Sequence, residues 1–336
     1  MAISCSDLYR RLRDHGFDRK FVKDVVLPDW WEDSLATNPA NRALAEAAIA
    51  RYLGFKISQL RNPENSLSAP PASNFCFKRL RRTKPSEIMP AAIVAQKAAK
   101  LIADHLSGVS KFIGIKSAQQ IRNSILGDSL VNLYALVRYC WHNGIAVIHI
   151  VPDRLPRLSK KFQGVCLYCS QTPVVVLGSG KTSPPWLAFD LAHEIGHIML
   201  GHVKADDRLL VDLDIDSRVG NDQQDKDANT FATEVLTGQK RMQFKEQGLT
   251  SPNLASEART YGHQNAIDPG TVALIYGRSA DRWSVAQNAL KYLGESTGAH
   301  EFISQSLKEH VAVDGMTEST VRFLSSLAAF GSDANG

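Results

Sequence analysis

Cysteine is scarce and odd in number, with five residues in a chain of 336. That excludes the dense, paired framework of a small secreted scaffold and points to reduced thiols. Long apolar runs are also missing. The stretch GIAVIHIV, Gly144 to Val151, falls far short of the roughly 20 apolar residues a membrane span needs, so no span is expected. The opening MAISCSDLYRRLRDHG is polar and lacks an apolar h-region, so no secretory signal and a cytoplasmic location are expected. No internal repeat stands out at the roughly 20–50-residue periods of solenoids and propellers. Neither is there compositional bias: hydrophobic residues make up 44% and charged residues 22%, which excludes a collagen-like or disordered chain. At this length two or three domains are expected.

What is present begins with an uneven charge. The net +5 divides into 19 Lys and Arg against 11 Asp and Glu over residues 1–120, giving +8, and 20 against 23 over the remainder, giving −3. The sharpest basic cluster is Lys78, Arg79, Arg81, Arg82 and Lys84. A positive field of this kind suits an anionic partner such as nucleic acid, and equally a solvated surface. Within the same region AAIARYLGFKISQL has the outline of a helix-turn-helix, with Gly54 at the turn. DNA contact through this region is one reading and a plain helical hairpin the other.

The pattern predicts helices over Pro39 to Leu60, Pro90 to Leu106 and Asp128 to Trp141, the last stopped by Asn143-Gly144. Strands are predicted at GIAVIHIV and from Pro173 to Leu177. A helix from Trp186 to Leu200 follows, and the C-terminal part reads as helical with breaks at Pro269-Gly270 and Gly294. This order implies an α+β fold, with a small β-sheet beside the Trp186–Leu200 helix.

That helix contains His193-Glu194-Ile195-Gly196-His197, an HExxH motif. Positions i and i+4 lie one turn apart on one helix face, so two imidazoles there can bind one Zn²⁺. The glutamate between them is placed to take a proton from water at the metal without itself binding it. A metal site needs a third protein ligand, and an acidic stretch downstream offers Asp206, Asp207, Asp212, Asp214, Asp216, Asp222, Asp225 and Asp227. It enters a helix whose apolar positions are Ala228, Phe231, Ala232, Val235 and Leu236. At 100° per residue, Asp225 lies about 50° from the centre of that face and Asp227 about 110° away. Asp225 is therefore the better inward-pointing candidate, with Asp227 the alternative. Asn229, one turn further on, suits a hydrogen bond to a ligating imidazole.

HEIGH followed by DKDANTFATEVL resembles the ImmA/IrrE-type zinc metallopeptidases, whose pattern is HExxH and then ExxAN-x-FA. The resemblance takes in Trp141 and GIAVIHIV before the motif, and YGHQNAIDPGTVALIYG, Tyr261 to Gly277, after it. Asp225 stands where the family usually has Glu, one methylene longer. The resemblance implies a zincin-like metallopeptidase core over residues 89–250, flanked by a helical basic region at 1–88 and a helical C-terminal region at 251–336. It implies a zinc endopeptidase with His193, His197 and Asp225 on the metal and Glu194 as the general base. It further implies a cytoplasmic protein that cleaves helix-turn-helix repressors controlling prophage, mobile-element or stress-response genes. No oxyanion stabiliser is singled out among Tyr261, His263 and others.

Weaker signals carry less. Cys166 and Cys169 form a single CxxC, and without a second pair they do not make a zinc ribbon, so a structural role is expected. Asp212 to Asp216 resembles a calcium loop but has Ser217 at the position needing Gly and Gln223 at the position needing Glu. His202, if the helix continued, would be rotated about 140° from His197 and is not expected as a ligand. Two other function classes fit the same residues: a DNA-binding regulator with zinc as a sensor, and a non-proteolytic binder of a partner protein. An intact Glu194 argues against both, since zinc binding alone needs no base beside it.

Overall fold

The computed structural model describes residues 4–62, 64–68, 75–77, 85–127, 130–159, 162–203, 218–242, 244, 248–294 and 298–328; for 75–77, 85–86 and 218–222 it describes the backbone alone. The basic cluster at 78–84 and the aspartates from Asp206 to Asp216 lie outside these residues. Among the described residues no helix is long and apolar enough to cross a membrane.

The N-terminal part is helical: α1 (Cys5–Asp14), α2 (Arg19–Phe21) continuing into a π-helical turn at Val22–Val26, α3 (Pro39–Leu53) and α4 (Ile57–Arg61). The helical stretch from Pro39 to Leu60 is two helices with the turn at Gly54, where the helix-turn-helix outline placed it, because Gly54 adopts a left-handed φ of +76° that ends α3. The buried Glu46 of α3 accepts from Arg42 Nε at 2.9 Å and from Arg61 Nε at 2.7 Å, so the short α4 is anchored by an ion pair as well as by the buried Leu60. Next come β1 (Phe75–Phe77), α5 (Pro85–Ala103), α6 (Ala118–Leu126), α7 (Leu133–His142) and β2 (Ala146–His149). The hairpin β3 (Gly164–Cys169) and β4 (Thr172–Leu177) leads into α8 (Pro184–Met199), the HEIGH helix.

The four strands form one mixed sheet in the order β1-β3-β4-β2, with β2 parallel to β4 and the other pairings antiparallel. Every residue of β2 and five of the six in β4 are buried, so the sheet is covered on both faces. Helices α5 and α8 both pack along β3 and β4 and supply that cover. The architecture is α+β, helix-rich around a small sheet. The CxxC lies inside β3; Cys166 is fully buried, and burial pushes the Cys169 thiol up to about 12, so neither is poised as a nucleophile.

After α8 the chain continues as α9 (Arg218–Thr237), α10 (Ser251–Asn265), α11 (Pro269–Ser279), α12 (Trp283–Leu293), α13 (Ala299–Glu309) and α14 (Glu318–Ala328). Helices α10, α11 and α12 form a second hydrophobic core around Leu254, Ile267, Val272 and Tyr276. The last two helices return to the first core. There α13 packs on β2 and α7, and Phe323 of α14 stacks on Tyr52 of α3 at 4.4 Å. Arg122 of α6 joins the two cores. Its Nη1 donates to Leu236 O at 2.7 Å at the end of α9, and its Nη2 to Ala266 O at 2.7 Å at the end of α10. A buried cation here satisfies helix C-terminal carbonyls that have no partner within their own helices.

Candidate metal centre

Helix α8 is buried along almost its whole length, including His193, Glu194 and His197 at 0%, 0% and 1% exposure. The polar groups of its motif are thus held inside the fold, where each has to be positioned by a neighbour. The most extensive helix contact in the structure is α8 against α9. The two helices come close at Gly196, where a Cβ would stand 3.2 Å from the Cα and the carbonyl oxygen of Ala228. Two small residues, one from HEIGH and one from the AN-x-FA segment, let the helices touch backbone to backbone.

That contact sets Asp225 and Asn229, on neighbouring turns of α9, against the two histidines. The Nε2 atoms of His193 and His197 face each other at 3.0 Å, and Asp225 Oδ1 lies 3.5 Å from His197 Nε2. Donor atoms of His193, His197 and Asp225 all lie within 4.8 Å of one another. The other ring nitrogens are occupied outward: Asn229 Oδ1 is 3.1 Å from His193 Nδ1, and His202 Nδ1 is 2.9 Å from His197 Nδ1. With a proton on each Nδ1, two Nε2 lone pairs point at one another, an arrangement that a cation between them relieves. Tetrahedral zinc with bonds of about 2.0–2.2 Å would space its donors about 3.3–3.6 Å apart; the two histidine nitrogens stand at 3.0 Å and the His197–Asp225 pair at 3.5 Å. The residues fit such an ion. Asp225, although shorter than Glu, comes within range because α9 is drawn so close to α8.

The remaining candidates are distributed differently. Asp227 stands outside this donor group and accepts from Gln223 Nε2 at 2.8 Å. Glu194 lies beside the metal-ligand candidates and against the first residue of β3; a Cβ at Gly164 would stand 2.6 Å from its Oε1. Tyr261 packs on Phe244 in the second core, and His263 is exposed on α10.

His202 is the residue that sequence reasoning placed wrongly, because α8 does not continue to it. The helix ends at Met199, Gly201 takes a left-handed φ of +70°, and His202 N–H donates to His197 O at 2.9 Å. The turn swings the ring back onto His197, and burial lowers its pKa. Gly201, four residues after the end of the motif, was the available signal. Gly164 carried none, since only the packed sheet shows what it faces.

Residues 142–250, about a third of the chain, match the family model Peptidase_M78, described as the IrrE N-terminal-like domain. This chain carries that metallopeptidase-family domain. No curated protein and no solved structure matches the chain. The M78 domain spans β2 through α9 and so contains every residue of the His–His–Asp group. It ends before Tyr261–Gly277.

A cleft of about 950 Å³ opens beside this group, between α8, α9 and α11. It includes Asn229 and Gln163, the neighbours of His193 and of Gly164 respectively. Since Asp225 lies in the donor group and Asp227 on the cleft wall, Asp225→Ala should lower zinc content strongly and Asp227→Ala only slightly. Elemental analysis of the two purified variants checks this; equal losses would show that the α9 face has been misassigned.

Proposed function

We propose that the protein is a zinc-dependent endopeptidase acting in the cytoplasm on a helix-turn-helix transcriptional repressor, whose cleavage switches on prophage, mobile-element or stress-response genes. The observation that carries the peptidase reading is the paired Nε2 atoms with Asp225 beside them, each imidazole fixed by an outer partner. The M78 domain supports it; the repressor as substrate rests on the family resemblance alone.

His193, His197 and Asp225 would hold the zinc. When bound, zinc supplies Lewis acidity that polarises the scissile carbonyl and acidifies an attacking water. The protein's own groups do the rest. Glu194 accepts the water proton as the nucleophile forms and delivers it to the leaving amine nitrogen. Gly164 leaves room for that carboxylate against the sheet. Asn229 and His202 hold the two rings so that both Nε2 atoms remain available, since an outer acceptor on Nδ1 fixes the tautomer.

The test pairs metal analysis with cleavage. The wild-type protein should purify with about one zinc per chain and cut a repressor encoded beside its own gene, with the new termini read by mass spectrometry. His193→Ala should lose most of the zinc and all detectable cleavage. Unchanged zinc in that variant would remove the basis of the assignment.

A further inference from the structure

The cleft beside the metal centre has a chemistry of its own. Its floor is apolar, formed by Trp186 and Phe189 of α8 and Leu274 of α11. Trp186 is held in place by stacking on Trp283 of α12, with ring centroids 5.2 Å apart. Its rim carries Lys226, Lys240, Arg241 and Arg278, all exposed. The guanidinium of Arg278 lies 6.0 Å from the Phe189 ring centre, which keeps a positive charge at the edge of the floor. The lining carboxylates are fewer than these cations: Asp190 is only 2% exposed, which leaves Asp227 as the exposed one.

The long direction of the cleft follows α9. From Asp227 to Leu236 the helix rises about 14 Å at 1.5 Å per residue, with Lys240 and Arg241 just beyond its end. An extended peptide advances about 3.3 Å per residue, so four to six residues cover the distance. One end meets Asn229, which holds His193, and Lys226; the other meets Lys240 and Arg241.

We infer that this cleft receives the substrate chain in extended form and selects a segment with an apolar or aromatic residue within about six residues of an aspartate or glutamate. The apolar side chain seats on Phe189 and Leu274, beside a Trp186 ring already covered by Trp283 and by the Lys181 ammonium 3.0 Å from its centre, while the acidic one meets Arg278 or the Lys240–Arg241 pair. The inference rests on the endopeptidase reading for its direction toward the metal centre, but the binding preference can be measured without cleavage.

The experiment uses the full-length protein and fluorescently labelled decapeptides carrying Phe and, four residues away, either Glu or Lys. Anisotropy titration at low salt should show the Glu peptide binding roughly tenfold more tightly, as two or three exposed charge contacts would give, with the preference fading as salt rises. The double variant Arg278→Glu/Lys240→Glu alters only exposed side chains and should keep the wild-type circular dichroism. In it the preference should disappear or invert. Equal binding of both peptides, or an unchanged preference in the double variant, would overturn the inference. So would tighter binding of a labelled single-stranded oligonucleotide than of the Glu peptide, which would mark a nucleic-acid groove instead. Charge-selective binding by a protein that cuts neither these peptides nor the repressor would leave the cleft assignment standing and remove the endopeptidase reading; cleavage without charge preference would do the reverse.

Discussion

Replacing Glu194 with glutamine is expected to leave zinc in place and to lower substrate cleavage by about 10²–10⁴, the usual worth of a general base. The donor group consists of His193, His197 and Asp225, so elemental analysis of Glu194→Gln should match the wild type. The amide has the shape of the carboxylate and makes no new demand on the space in front of Gly164, so thermal stability should change little. What it cannot do is accept a proton from water at neutral pH. Partner binding should survive, and the variant should trap its substrate. If Glu194→Gln keeps its zinc and cells carrying it still show the full wild-type response, the protein acts by binding, and the regulator class takes the place of the peptidase.

The parts of this site legible in the sequence are those governed by local helical geometry. HEIGH announces itself because two histidines four apart can only share a face. The choice of Asp225 over Asp227 as the inward residue follows from the apolar phase of Ala228, Phe231 and Ala232, and the structure puts Asp225 within 3.5 Å of His197 Nε2. Beyond the local period, legibility fails for physical reasons. His202 escaped because one left-handed glycine redirects the chain, and a periodicity argument assumes that no such residue intervenes. Gly164 and its strand escaped because β3 is read only through its partners, although the structural role of its CxxC is expected without them. The fold shows the same division. Asn143-Gly144 and Gly294 end helices where expected, yet nothing local says that α13 and α14 bypass the second core and return to β2 and α3. The cleft between α9 and α11 likewise exists only in three dimensions.

The helix contact at Gly196 gives the second large effect, on the assembly of the site rather than on its chemistry. Leucine at this position would place its Cβ 3.2 Å from the Ala228 Cα and carbonyl oxygen and 3.3 Å from Phe231 Cβ. Two of those three neighbours are backbone atoms, which cannot rotate aside as the tip of a flexible side chain can. The strain has to be relieved by moving α9 away from α8. Overpacking of a close contact costs about 1–3 kcal/mol, and a branched side chain at a backbone-to-backbone crossing belongs at the upper end, so Tm should fall by several degrees. The consequence for function is larger than the loss of stability. Asp225 and Asn229 ride on the displaced helix, so one donor leaves zinc range and His193 loses its outer partner together. Outer-partner loss alone typically costs about 10–100-fold in metal affinity, and loss of the carboxylate adds to it. Gly196→Leu should therefore be nearly zinc-free at temperatures where its circular dichroism is still native, with Gly196→Ala intermediate. Gly127→Leu is the matched control: it has φ −60°, and an added Cβ meets none of the described residues within 4 Å, so zinc and Tm should stay near wild type. Wild-type zinc content in Gly196→Leu would mean that the α8–α9 contact does not assemble the centre.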